Sequence, residues 1–186
     1  MKAKDKIVIG IMGTIASGKG TIARYLAEKH GFKHVVMGDL VRAIARKRGI
    51  KPTRENLHNL QARYRAKDPA YFIKKVIARI LKEKQKKWVV DGLRNPEDAR
   101  ELKKAFDAKL ILVDAPVELR WKRARERKRG KEARESLGDF IKTEQQENKI
   151  FRFNITKRYA DFKIINAGSK KQVFSATEKV LKKILS

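Results

Sequence analysis

Cysteine is absent from this 186-residue sequence. Disulfides, thiolate zinc sites and a cysteine nucleophile are thereby excluded. Histidine is scarce: His30, His34 and His58 are scattered without metal-ligand spacing and read as solvated or core side chains. No apolar run approaches the ~20 residues that span a bilayer, so no membrane partner is expected. Met1 to Lys6 leads straight into a strand with no signal-type apolar core, which makes a cytoplasmic location the expectation. Acids are the other shortage. Asp and Glu number 21 against 48 Lys and Arg, for a net charge of +27. Such a field collects phosphorylated ligands and predicts weak, non-specific nucleic-acid binding, without naming the specific anion.

What is present is a regular alternation. Apolar residues make up 41% of the chain, in short recurring runs, so one globular domain over 1–186 is expected. Strands are expected at Lys6–Ile11, His34–Met37, Trp88–Asp91, Lys109–Val113 and Phe162–Ile165. Between them fall helices from Gly20 to His30, Asp39 to Arg48 and Thr53 to Ala66, and from Asp68-Pro69 to Lys86. Asn95-Pro96 and Pro116 open two more, and Ser136 and Ser169 are placed to cap the last two. Short apolar strands separated by helices imply a three-layer α/β fold around a five-stranded parallel sheet. Ligands in such sheets lie at the carboxyl ends of the strands.

The first strand runs into Gly13-Thr14-Ile15-Ala16-Ser17-Gly18-Lys19-Gly20-Thr21. Glycines at this spacing, between a strand and a helix, let backbone N–H groups surround phosphate oxygens, and Lys19 reaches the β- and γ-phosphates. All nine residues are therefore candidates for holding ATP. Gly20 stands where this pattern normally has Ser or Thr. Thr21 comes one residue late, so it is expected to meet Mg²⁺ through water. Asp91, at the end of the third strand, is the candidate for organising the magnesium shell.

Two further strand ends carry arginine. Met37-Gly38-Asp39-Leu40-Val41-Arg42 puts Asp39 and Arg42 on one face of a helix start, and Asp91-Gly92-Leu93-Arg94 supplies a second guanidinium. Guanidinium grips phosphate bidentately, so Arg42 and Arg94 are candidates for the phosphate of an acceptor. Asp39 is either a helix cap or a base for an acceptor hydroxyl.

Together these segments identify the chain as similar to small P-loop kinases of the adenylate kinase and dephospho-CoA kinase superfamily. Gly-Lys-Gly-Thr and Gly-Asp-x-x-Arg resemble adenylate kinase. Gly-x-Ile-Ala-Ser-Gly-Lys and the Ala160–Gly168 segment, Ala-Asp-x-x-Ile-x-Asn-x-Gly, resemble dephospho-CoA kinase. The whole looks most like a largely archaeal dephospho-CoA-kinase-like family.

The resemblance implies a P-loop NTPase fold with acceptor-binding helices over about 39–86 and a helical lid over about 120–150. It implies that Arg123 and Arg127 close over the transferring phosphoryl group and that Asn166, Ala167 and Gly168 lie against the adenine. Asp-Gly-Leu-Arg is one residue shorter than the corresponding nucleotide-kinase segment, which leaves Arg94 the looser match. The activity implied is ATP- and Mg²⁺-dependent transfer to a small phosphorylated acceptor, a nucleoside monophosphate or dephospho-CoA. A competing class is a nucleic-acid-associated P-loop ATPase or polynucleotide kinase, with Phe151, Phe153 and Tyr159 stacking bases among Lys149, Arg152, Lys157 and Arg158. A nucleotide switch without transfer is disfavoured, because it needs no second phosphate pocket.

Overall fold

Five apolar segments pair in parallel: β1 (Ile7–Met12), β2 (Lys33–Val36), β3 (Lys87–Leu93), β4 (Lys109–Asp114) and β5 (Phe162–Ile165), in the spatial order β2-β3-β1-β4-β5. The structure, a computed structural model, describes residues 5–127 and 135–186. Residues 1–4, and residues 128–134 of the expected lid, lie outside the described residues. Nine α-helices are found among those described: α1 (Lys19–His30), α2 (Met37–Lys47), α3 (Arg54–Lys67), α4 (Tyr71–Lys82), α5 (Pro96–Phe106), α6 (Val117–Glu126), α7 (Leu137–Phe151), α8 (Phe153–Thr156) and α9 (Lys170–Leu185). None is long and apolar enough to cross a membrane.

The central strand shows why the sheet is covered on both faces. Side chains alternate along a strand, and in β1 both sets are apolar. Val8 and Met12 join a core with Val41, Phe72, Ile73 and Leu102 from α2, α4 and α5. Ile9 and Ile11 point the other way, to Ile22 and Leu26 of α1 and Val173 and Leu181 of α9. Burying each such side chain contributes about 1.5–3 kcal/mol before its entropy is counted. A third, smaller cluster of Ala16, Ala124 and Phe140 packs α6 and α7 against the loop after β1.

Most helix signals act as expected. Thr53 accepts from the Asn56 N–H at 3.2 Å, Ser136 accepts from the Asp139 N–H at 3.1 Å, and Ser169 forms a reciprocal capping box with Gln172. Three details differ. Asp68 does not cap α4: its side chain accepts from the Ala70 N–H at 3.0 Å and its carbonyl from the Tyr71 N–H. That local turn delays the helix to Tyr71, and it ends at Lys82, short of Lys86. Helix α2 starts at Met37, so Asp39 lies inside the first turn with no capping bond. Strand β3 continues through Asp91 to Leu93, and the register against β1 slips at Gly92, which has φ +96°. That extra residue redirects the chain between Asp91 and Arg94.

Candidate active site

The loop between β1 and α1 is built around two glycines. Gly18 has φ +99°, and a Cβ there would lie 1.9 Å from the side-chain amide of Asn166. A Cβ on Gly13 would lie 2.3 Å from the Val113 carbonyl, so the neighbouring strand end also presses on the loop. The contact to Asn166 is specific. Its amide donates to the Ser17 carbonyl at 2.8 Å, while Arg123 donates to its backbone carbonyl at 3.0 Å and its side-chain oxygen at 3.2 Å. The end of β5 thus clasps the loop, and α6 braces the clasp.

Lys19 turns back into this loop and donates to the Thr14 carbonyl at 2.7 Å. Burial pushes its ammonium down to about 8, Arg94 and Arg127 push the same way, and Asp91 and Glu147 oppose them. Those four groups therefore share the field around Lys19, and they come from four separate places in the sequence.

The surrounding polar atoms are unusual. Thr14 Oγ1, Ser17 Oγ, Asp91 Oδ1 and His34 Nε2 are all buried, and none has a hydrogen-bond partner among the described residues. His34 lies opposite Val89, two residues before Asp91, and its Nε2 stands 3.6 Å from Asp91 Oδ2, beyond a good hydrogen bond. Buried polar atoms are nearly always satisfied, and several orphans together call for a missing partner. A phosphate accepting from the hydroxyls and a cation with its water shell facing Asp91 fit that donor and acceptor set. The ideal Cβ of Gly20 lies 3.5 Å from Asp91 Oδ2, so the glycine at that departure from the usual pattern leaves the carboxylate against the start of α1. Thr21 follows, half-buried, its N–H donating to Gly18.

Beside the loop, Gly13, Thr14, Arg94, Glu144, Glu147 and Phe151 line a narrow cleft. Glu147 is its charge centre. Oε1 accepts from Arg54 Nε at 3.2 Å and Nη2 at 2.7 Å and lies 3.3 Å from His58 Nε2, while Oε2 accepts from Arg94 Nη1 at 3.0 Å. Burial raises the Glu147 carboxyl, but the His58 contact and the Arg94 and Arg54 charges outweigh it and hold it at about 2. Phe151 floors the group, edge-on to His58 and under the Arg94 guanidinium.

Arg94 and Lys19 are thus brought together as their strand ends suggested. Arg42 is hydrogen-bonded to Asp39 on an exposed helix start and lies over Gly38. Arg120 is buried, donates to the Ala115 carbonyl at 2.8 Å and grips Glu144, joining α6 to α7. Phe151 and Phe153 are buried and Tyr159 packs against the core, so these rings are not displayed for stacking bases. Arg54, Glu144 and Glu147 carry no expectation from the sequence, and His34 and His58, expected as solvated or core side chains, lie beside Asp91 and Glu147. Two acids three apart, in a chain with few acids, were the available signal for Glu144 and Glu147. A wide, shallow depression of about 510 Å³, lined by His30, Gly31 and Lys84 to Lys87, contains none of these groups.

A family model described as an AAA domain matches residues 12–139. A UPF0200 protein of Aeropyrum pernix is 31% identical over 170 residues, 91% of this chain and 89% of its own length. A UPF0200 protein of Methanoregula boonei is 32% identical over 164 residues, 87% of this chain and 88% of its own. Among solved structures, shikimate kinase from Acinetobacter baumannii in complex with shikimate superposes with a TM-score of 0.63 at 17% identity, over 98% of this chain and 94% of that one. A gluconokinase from Sinorhizobium meliloti does so with a TM-score of 0.58 at 12% identity, over 100% and 98%. At these identities the likeness establishes the P-loop kinase fold. The dephospho-CoA kinase part of the expected resemblance rests on the motifs alone.

Proposed function

The chain belongs to the archaeal UPF0200 family and to the family described as an AAA domain, and from that premise we propose that it transfers the γ-phosphoryl of Mg·ATP to a small phosphorylated acceptor, a nucleoside monophosphate or dephospho-CoA. The observation that carries this reading is the desolvated Lys19 among the unpartnered buried atoms of Thr14, Ser17, Asp91 and His34. A switch that only binds nucleotide accounts for the loop. It does not account for Arg94 set close enough to Lys19 to depress its ammonium.

In this mechanism Gly13 to Thr21 hold the donor phosphates by their N–H groups, and Lys19 leaves the Thr14 carbonyl to meet them. Asp91, with Thr21, would hold the water shell of a magnesium ion, which would supply positive charge against the donor phosphates. Asn166, Ala167 and Gly168 face the donor base, and Arg123 fixes that segment through Asn166. Arg127 adds positive charge on the lid side. Arg94, with Arg42 after closure of the exposed α2 start, holds the acceptor's phosphate. Asp39 takes the proton if the acceptor group is a hydroxyl and orients Arg42 if it is a phosphate. Nucleic acid binds only weakly, through the dispersed +27 charge.

The test is a panel of nucleoside monophosphates, deoxynucleotides and dephospho-CoA with Mg·ATP, scored by ADP release and product mass. One acceptor giving a phosphorylated product supports the reading. Mg·ATP binding without product from any of them, or hydrolysis stimulated only by RNA or DNA, overturns it.

A further inference from the structure

Glu147 reaches from α7 to a set of donors it does not share with the phosphate loop. Arg54 and His58 lie four apart in α3, one turn of helix, so both project to the same side. Arg94 arrives from the end of β3, and Phe151 closes the floor. Four contacts from two guanidiniums and an imidazole converge on the two oxygens of one carboxylate. The geometry is that of an oxyanion site: planar forks from two directions and a ring nitrogen from a third. It borders the cleft that also exposes Gly13 and Thr14.

A carboxylate with this environment has little chemistry of its own to offer. Held at about 2, it stays ionised at neutral pH and is a poor proton acceptor. It also lies where its negative charge partly offsets Arg94 at Lys19. A fixed anion beside an anion-binding loop would repel an incoming phosphorylated molecule unless it moved.

We propose that Arg54, His58 and Arg94 form the pocket for the acceptor's phosphate and that Glu147 fills this pocket in the ligand-free protein as an internal stand-in for that phosphate. Acceptor binding exchanges one anion for the other: the guanidiniums keep a partner throughout, and Glu147 swings out as the phosphate enters. A phosphate presents more acceptor positions than a carboxylate does, so it satisfies the same donors more fully. The exchange also breaks the tie between α3 and α7, freeing these two elements to move relative to each other when the acceptor arrives. Calling the anion the acceptor's rests on the phosphoryl-transfer reading above; the exchange itself does not.

The experiment measures inorganic phosphate binding by calorimetry to the whole protein saturated with Mg·ADP, with acetate as the carboxylate control. The proteins are wild type, Glu147→Gln, Arg54→Ala and the double variant. A latch that occupies the site nine-tenths of the time raises the apparent Kd ~10-fold, so Glu147→Gln should tighten phosphate by about that factor. The gain should vanish when Arg54→Ala is added, which separates this pocket from the phosphate loop. Phosphate should raise the Tm of Glu147→Gln more than that of wild type. Glu147→Asp keeps the charge but shortens the reach, and it serves if the Gln variant folds poorly; an intermediate gain is expected. Unchanged or weaker phosphate binding in the Glu147 variants would make this carboxylate a brace for the arginines and overturn the proposal. So would a gain that survives Arg54→Ala, or acetate binding as tightly as phosphate. No turnover enters the measurement, so failure of the kinase panel and failure of the exchange are separate results.

Discussion

At the phosphate loop, buried atoms of Thr14, Ser17 and Asp91 have no hydrogen-bond partner among the described residues, whereas both oxygens of Glu147 are met by Arg54, His58 or Arg94. The two sides of the cleft therefore stand in opposite states. An unpartnered buried polar group costs about 1–3 kcal/mol, so the loop side carries a deficit that a ligand removes. The Glu147 side carries none, and a ligand there must replace what is already bound. Nucleotide should therefore stabilise the wild-type fold much more than an acceptor anion does, in proportion to RT ln(1 + [L]/Kd).

The sharpest way to break this contrast is Lys19→Ala. Removing a positioned charge from the transferring phosphates should lower transfer at least ~10²-fold, with the circular dichroism spectrum unchanged. The ligand-free fold should become more tolerant of neutral pH. With the ammonium depressed from 10.5 to about 8, the unfolded chain binds the extra proton between those values. Stability of the native protein thus rises with pH across that window, and the variant should lose that rise. Near-normal turnover in a folded Lys19→Ala protein would remove the donor-side assignment.

Arg94→Ala comes next and tests the other side. Loss of a charge-assisted contact costs about 1.5–3 kcal/mol, which should appear in the acceptor's KM and leave ATP affinity nearly unchanged. Arg42→Ala should do less, because in the ligand-free structure that side chain is exposed and engaged with Asp39. If steady-state titrations show ATP affinity falling with Arg94, the two sides are not separate sites.

A different effect concerns acid. Glu147 is lowered from 4.5 to about 2, so its contribution to stability is complete above pH 4.5 and is lost as pH falls towards 2. Glu147→Gln should be less stable than wild type at pH 7, by about 3 kcal/mol. Denaturant titrations should show the two converging near pH 2. A constant gap would mean that the carboxylate is not held by its cationic neighbours. The smallest change is expected from Asp39→Asn. That carboxylate is already engaged by Arg42, so kcat should fall only a few-fold. A loss of ~10² or more would instead make the acceptor group a hydroxyl.

The five parallel strands and the phosphate loop were legible because each depends on local pattern. Two-sided apolar runs dictate buried parallel strands, and Gly-x4-Gly-Lys dictates the loop. Phe162–Ile165 was placed to the residue. The start of α4 was missed because Asp68 has two local options, a cap or a turn, and the turn accepted by its side chain and carbonyl prevailed. The Glu147 pocket was missed for a different reason. Its members are 53 and 93 residues apart in the chain, and no periodicity brings α3, β3 and α7 to one point. Nothing in the sequence separates Arg120 from the other basic residues of α6. Only its burial against Glu144 distinguishes it.

The clasp of Asn166 on the loop also has a consequence for the order of events during synthesis. The bond to the Ser17 carbonyl spans 149 residues, so the shape of the nucleotide loop is completed by a segment made long after the loop itself. A nascent chain with its glycine loop already outside the ribosome, but lacking β5, holds the sequence of a phosphate site without its wall. It should gain little protection from nucleotide until Asn166 has emerged. Ligand-driven stabilisation is then withheld from every shorter intermediate and granted to the finished sheet in one step.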